Sequence, residues 1–196
     1  MTEEKHRELS LEYIRKAKEA LDSIGVPFCL FLGSVLGPYR DHDFCPGDID
    51  DIDFGIDKKY YSRLQEITDA MDKVGLKFTS NYTLKDEFAP EVCYVKVHEV
   101  ADKNDCSKDI YTKVDLFFYE TVDDKVVWRF YLNHEPITKA VSGKYFGEVG
   151  KLEFAGVEFN IPSPVEDYLK ENYGDWRTPI HRDNWKWWLD NKCQTI

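Results

Sequence analysis

Apolar residues at Leu11, Ile14, Ala17, Leu21 and Ile24 recur at steps of three and four, with Glu, Lys and Arg between them. That spacing predicts an amphipathic helix, which Gly25 can end. Pro27-Phe28-Cys29-Leu30-Phe31-Leu32 is a continuous apolar run and predicts a short buried strand. Gly33-Ser34 breaks it, and Val35-Leu36-Gly37 opens a short helical turn. A polar loop from Arg40 to Gly47 leads into Asp50–Ile56, where Ile52, Phe54 and Ile56 alternate with Asp51, Asp53 and Gly55. The alternation predicts a strand with one apolar and one acidic face. Tyr61, Leu64, Ile67, Met71 and Val74 return to helical spacing and stop at Gly75.

Further strands are predicted at Leu76–Tyr82, Val92–His98, Ile110–Phe118 and Val126–Tyr131, with a polar, exposed loop from Glu99 to Asp109. Leu152-Glu153-Phe154 and Val157-Glu158-Phe159 flank Ala155-Gly156 and predict a hairpin. Ser163-Pro164 reads as an N-cap followed by proline in the first turn of a last helix through Tyr168 to Asn172, closed by Gly174. The layout is α+β: helix, strand, helix, a run of strands and a small helical end. A length of 196 residues suits one domain spanning 1–196.

Composition narrows the function classes. Hydrophobic residues at 42% and charged residues at 32% describe a folded chain. A net charge of −11 excludes a broad nucleic-acid footprint, which needs a basic face, and leaves room for a local basic pocket. No apolar run reaches the ~18 residues of a membrane span, and the N-terminal Met-Thr-Glu-Glu-Lys-His-Arg carries no signal pattern. A cytoplasmic protein is expected. The five cysteines, Cys29, Cys45, Cys93, Cys106 and Cys193, form no C-x-x-C pair and read as reduced packing residues. Aromatics reach 15%, and the Trp185-Lys186-Trp187-Trp188 tail reads as a core or docking segment.

The acidic strand is the first candidate for chemistry. Residues two apart on a strand share a face, so Asp51 and Asp53 carry carboxylates about 6–7 Å apart at the backbone. Either this is a solvated acidic edge or a divalent cation sits between them; Mg²⁺ takes one or two carboxylates together with substrate phosphate oxygens. Gly33-Ser34, between a buried strand and a helical turn, is either a plain turn or a phosphate cradle in which glycine admits a close backbone approach and serine adds a hydroxyl. Asp115, flanked by apolar residues in Lys113-Val114-Asp115-Leu116-Phe117-Phe118, is costly to bury unless paired with a cation or bound to metal. Three carboxylates around one or two metals suit phosphoryl transfer. Arg40 and Lys96 are candidate phosphate contacts, and His42 or Asp43 a candidate base.

Those residues resemble the LicD family. Gly33-Ser34-Val35-Leu36-Gly37-Pro38-Tyr39-Arg40, Phe44-Cys45-Pro46-Gly47-Asp48 and Asp51-Ile52-Asp53-Phe54-Gly55-Ile56 are similar to its Gly-Ser/Thr-Leu-Leu-Gly…Arg stretch and its acidic motif. Phe154…Val157-Glu158-Phe159-Asn160-Ile161-Pro162, Asp167-Tyr168-Leu169, Tyr173-Gly174-Asp175-Trp176 and Thr178-Pro179 resemble its closing motif. The resemblance implies a nucleotidyltransferase-type fold with a mixed central sheet flanked by helices. It also implies transfer of a phospho-alcohol group from a nucleotide-activated donor, such as a CDP-alcohol, to a hydroxyl on a glycan or small molecule. Asp51, Asp53 and Asp115 would hold Mg²⁺ or Mn²⁺, and Gly33, Ser34 and Arg40 would contact phosphate. Two departures stand out: Gly47 replaces a family tryptophan, and one extra residue precedes the acidic pair. Asp48-Ile49-Asp50 is therefore a competing metal-binding pair, with Asp48 otherwise an outer ligand. Nucleotidyl transfer from an NTP and a non-catalytic nucleotide- or sugar-binding module are the alternatives.

Overall fold

The computed structural model describes residues 2–80, 91–98, 110–132, 135–181 and 184. The predicted strand end at 81–82, the loop from Glu99 to Asp109 and the Trp185–Trp188 tail lie outside them.

Helix α1 runs Glu3–Ser23. Thr2 caps it by accepting the Lys5 N–H at 3.3 Å, and Glu3 and Glu4 sit in its positive first turn. Ile14, Ala17 and Leu21 form its buried face, and Gly25 turns the chain out with φ 62. Strand β1 is shorter than its apolar run, Cys29–Leu30, because Leu32 leaves the extended region at φ 44. What reads as a short helical turn is helix α2, Gly33–Asp41, and it places Arg40 in its last turn instead of in a loop.

Strand β2 is Asp51–Asp57, and a 3₁₀ helix at Lys58–Arg63 precedes α3, Leu64–Lys73. Tyr61, predicted helical, belongs to that 3₁₀ turn. Strands β3 (Lys77–Ser80), β4 (Glu91–His98), β5 (Ile110–Val122), β6 (Lys125–Leu132) and β7 (Glu135–Ser142) follow. The sequence pattern did not mark β7, because its Lys139 and Thr138 interrupt the apolar spacing. A second 3₁₀ helix spans Gly143–Phe146, the hairpin is β8 (Gly150–Phe154) with β9 (Val157–Ile161), and α4 is Val165–Tyr173. Ser163 does not cap α4; Pro164 holds the cap position without a side-chain bond, while the Ser163 N–H donates to Tyr145 O at 2.9 Å.

Among the described residues, β1 to β7 form one sheet in the order β1-β2-β5-β4-β3, with β6 and β7 continuing from β5. The sheet is mixed: β2 and β5 are parallel, and every other pairing is antiparallel. Ile52, Phe54, Ile56, Val114, Leu116 and Phe118 line one face, each 1% exposed or less. Helices α1 and α3 pack on each other, and α1 reaches β5 on that face through a Ser10–Thr112 hydroxyl contact of 3.2 Å. Burying a side chain such as Phe54 there contributes about 1.5–3 kcal/mol.

The other face divides along the strand. At its β2 start stand Asp51 and Asp53. Beyond them Gly55 leaves room for the Phe31 ring, which a Cβ would meet at 2.9 Å. Phe31 then packs against Phe117, Trp128 and Phe146, with ring centroids 5.1–6.1 Å apart. That aromatic block anchors the chain just before the turn into α2, so the N-terminus of α2 is fixed over the acidic end of the sheet.

Candidate metal and phosphate site

Register does the first part of the work. In the parallel ladder Asp53 is the direct partner of Asp115, and Asp51 is the partner of Lys113. Residues two apart share a face, so all four side chains stand on one side of adjacent strands. Carboxylate oxygens of Asp51, Asp53 and Asp115 lie within 4.8 Å of one another. Asp53 is 8% exposed and Asp115 6%. Lys113 Nζ lies 3.4 Å from Asp51 Oδ1.

The Gly-Ser turn supplies the second part. Leu32, at φ 44 and ψ −123, sits where glycine is usual, and the Ser34 N–H donates to Phe31 O at 3.0 Å to close the turn. The Tyr168 hydroxyl supports it by accepting the Leu32 N–H at 3.4 Å. Ser34 Oγ accepts the Asp53 N–H at 2.8 Å, and Phe31 N–H donates to Asp53 O at 3.0 Å. The serine expected to serve a phosphate thus also ties the acidic strand to α2. A hydroxyl that accepts still has its own O–H to donate.

Gly33 is where the two parts meet. A Cβ there would lie 3.0 Å from Asp48 Oδ2 and 3.6 Å from Asp53 Oδ2. Asp48 therefore stands beside the cluster, behind the first turn of α2. The Asp50 carbonyl accepts the Lys113 N–H at 2.7 Å, and its charge acts on His6 of α1. The three converging carboxylates come from Asp51, Asp53 and Asp115.

Other candidate residues go elsewhere. Arg40 donates through Nε and Nη2 to Asp41 at 2.8 and 2.6 Å, and through Nη1 to Trp176 O at 3.0 Å. Its guanidinium holds the segment after α4 instead of lying open to a phosphate. Lys96 is in register with Thr112 on β5. Its side chain lies outside the described residues; Lys113 is the cation that alternation puts beside the acids. Asp43 is held by Arg7 Nε at 2.7 Å from both oxygens, and His42 caps α2 in the left-handed region, φ 57, beside Phe154.

The polar surroundings favour protonated neighbours. Burial, with the Asp48 charge next, pushes the Cys45 thiol up to about 12, and Cys45 Sγ donates to Gly33 O at 3.7 Å. Burial holds the Tyr173 phenol well above its ordinary value, and Tyr168, Cys45, Asp53 and Asp48 push the same way. Tyr168 is raised likewise, first by burial. Both tyrosines come from α4, which has no sequence signal linking it to the acidic strand.

These residues fit a divalent cation. Carboxylates within 4.8 Å of one another repel at the dielectric of a protein interior. A divalent cation held among the three carboxylates offsets that repulsion. An all-carboxylate donor set suits hard cations over the soft metals that thiolates select.

Comparison with known proteins identifies the family. The sequence model of LicD/FKTN/FKRP, nucleotidyltransferase domain, matches residues 25–164. "Ribitol-5-phosphate transferase FKTN" from Mus musculus is 30% identical over 187 residues, and the proteins of that name from Macaca fascicularis and Homo sapiens are 29% identical over 188. Each alignment covers 92% of this chain and 36% of the relative, so the chain spans about a third of their length. The match over 25–164 takes in Gly33, Ser34, Asp48, Asp51, Asp53 and Asp115. The chain belongs to the LicD family and carries its nucleotidyltransferase domain.

Proposed function

We propose that this chain is a metal-dependent transferase that moves a phospho-alcohol group from a nucleotide-activated donor to a hydroxyl acceptor. The donor is a CDP-alcohol, the transferred group is of the ribitol phosphate or phosphocholine kind, and the acceptor is a glycan. The observation that carries this reading is the convergence of Asp51, Asp53 and Asp115 within 4.8 Å beside the Gly33-Ser34 turn. The name of the similar FKTN proteins supports the choice of phospho-alcohol.

Asp51, Asp53 and Asp115 would hold Mg²⁺ or Mn²⁺. Such an ion supplies charge neutralisation at the phosphates and orients them. Ser34 holds Asp53 in place through its amide and has a hydroxyl proton to offer a phosphate oxygen. The α2 N-terminus adds its positive end of the helix dipole. Lys113 pairs with Asp51 at 3.4 Å and adds positive charge beside the carboxylates. The acceptor oxygen forms a bond to the phosphorus bearing the alcohol, the bond from that phosphorus to the bridging oxygen breaks, CMP leaves, and the hydroxyl proton is released.

The family's nucleotidyltransferase description supports a second reading, attack at the α-phosphorus of an NTP with release of pyrophosphate. Product analysis separates the two. CMP from a CDP-alcohol supports phospho-alcohol transfer; pyrophosphate from an NTP supports nucleotidyl transfer. Thermal stabilisation by nucleotide without turnover over a panel of acceptors would leave a binding module.

A further inference from the structure

The segment after α4 lies beyond the 25–164 family match, yet it returns to the site. Trp176, 6% exposed, accepts from Arg40 through its carbonyl and packs on Tyr39 with ring centroids 5.8 Å apart. Arg177 lies 4.2 Å over the Trp176 ring and binds Glu166 of α4 at 2.6 Å. The chain so anchored delivers His181 to the backbone of Gly47. A Cβ on Gly47 would lie 2.7 Å from both Cε1 and Nε2 of that imidazole. Gly47 also has φ +80, so both the space and the backbone there are those of glycine.

Gly47 lies inside the turn closed by the Asp48 N–H donating to Cys45 O at 3.0 Å. The next side chain, Asp48, places Oδ2 3.0 Å from the Cβ position of Gly33, a point Asp53 Oδ2 shares at 3.6 Å. A contact chain therefore runs from the His181 ring through Gly47 and Asp48 to the Gly33 end of α2. We propose that His181 is a positioning residue that holds the Cys45–Asp48 turn, and with it Asp48, against the metal site. This rests on the metal reading given above. His181 is exposed, so its loss leaves the core intact, whereas second-layer support of a metal site alters affinity by about tenfold or more.

The test is Mn²⁺ titration by calorimetry of the whole chain, with melting temperature recorded for each variant. His181→Ala is expected to weaken Mn²⁺ binding by about tenfold with its melting temperature little changed, and His181→Phe, which keeps a ring on Gly47, to recover most of the affinity. In an Asp48→Asn background, His181→Ala is expected to have no further effect, since it acts through Asp48. Wild-type affinity in His181→Ala, or a further loss on top of Asp48→Asn, would overturn the inference while leaving the metal site standing. A wild-type chain that takes up no Mn²⁺ would overturn both.

Discussion

Asp53 on β2 and Asp115 on β5 are direct partners across a parallel ladder, two nearly buried carboxylates held face to face. Like charges opposite each other destabilise a sheet, so this pairing costs stability in the metal-free chain. Asp115→Asn is expected to stabilise that form by about 1–2 kcal/mol, roughly 2–8 °C in melting temperature. The same substitution should remove the stabilisation that wild type gains from Mg²⁺. Thermal denaturation with and without Mg²⁺ checks both signs.

Ser34→Ala removes the acceptor of the Asp53 N–H, a bond of 2.8 Å in a residue 2% exposed. An orphaned buried donor costs about 1–3 kcal/mol. Chemical denaturation should show that loss, and the Asp53 amide should exchange faster with solvent.

Gly33→Ala separates binding from folding. The φ at Gly33 is not in the left-handed region, and alanine is the better helix former. Its Cβ would meet Asp48 Oδ2 at 3.0 Å, so the carboxylate must move. Weaker Mn²⁺ binding with unchanged or raised melting temperature is the expected result.

Glu120 gives a pH signature away from the site. The Arg129 hydrogen bond, then that of Lys58, holds its carboxyl below the usual glutamate range. The pairs measure 2.8 and 3.0 Å. A depressed carboxyl stabilises the fold above its unfolded pKa of about 4.3, and that contribution is lost as pH falls through the lower folded value. Glu120→Gln should therefore cost about 1 kcal/mol near neutral pH, and the difference from wild type should vanish in acid. Melting curves between neutral pH and pH 3 follow it.

Alternation in Asp51-Ile52-Asp53-Phe54 and the isolated Asp115 made the acidic face legible in the sequence, because period-two patterning reports side-chain direction directly. Their convergence was not legible there, since strand order and register are long-range properties. The same limit explains Lys96 and Lys113: each lies in a predicted strand next to a valine, and only the ladder shows that Lys113 stands beside the acids. Arg40 follows the Gly-Ser turn in sequence, but α2 continues to Asp41 and carries it to Trp176. Tyr168, Tyr173 and His181 approach from the end of the described chain, and no local spacing announces such contacts.

The proposed reaction is metal-dependent release of CMP from a CDP-alcohol at Asp51, Asp53 and Asp115. Its most direct test follows CMP formation from CDP-ribitol and CDP-choline with glycan acceptors, with and without Mg²⁺, for wild type and Asp53→Asn. Wild type is expected to yield CMP and a phospho-alcohol product only with the metal present, and a folded Asp53→Asn neither. Undiminished CMP release by Asp53→Asn, or pyrophosphate from an NTP as the sole product of wild type, would contradict it.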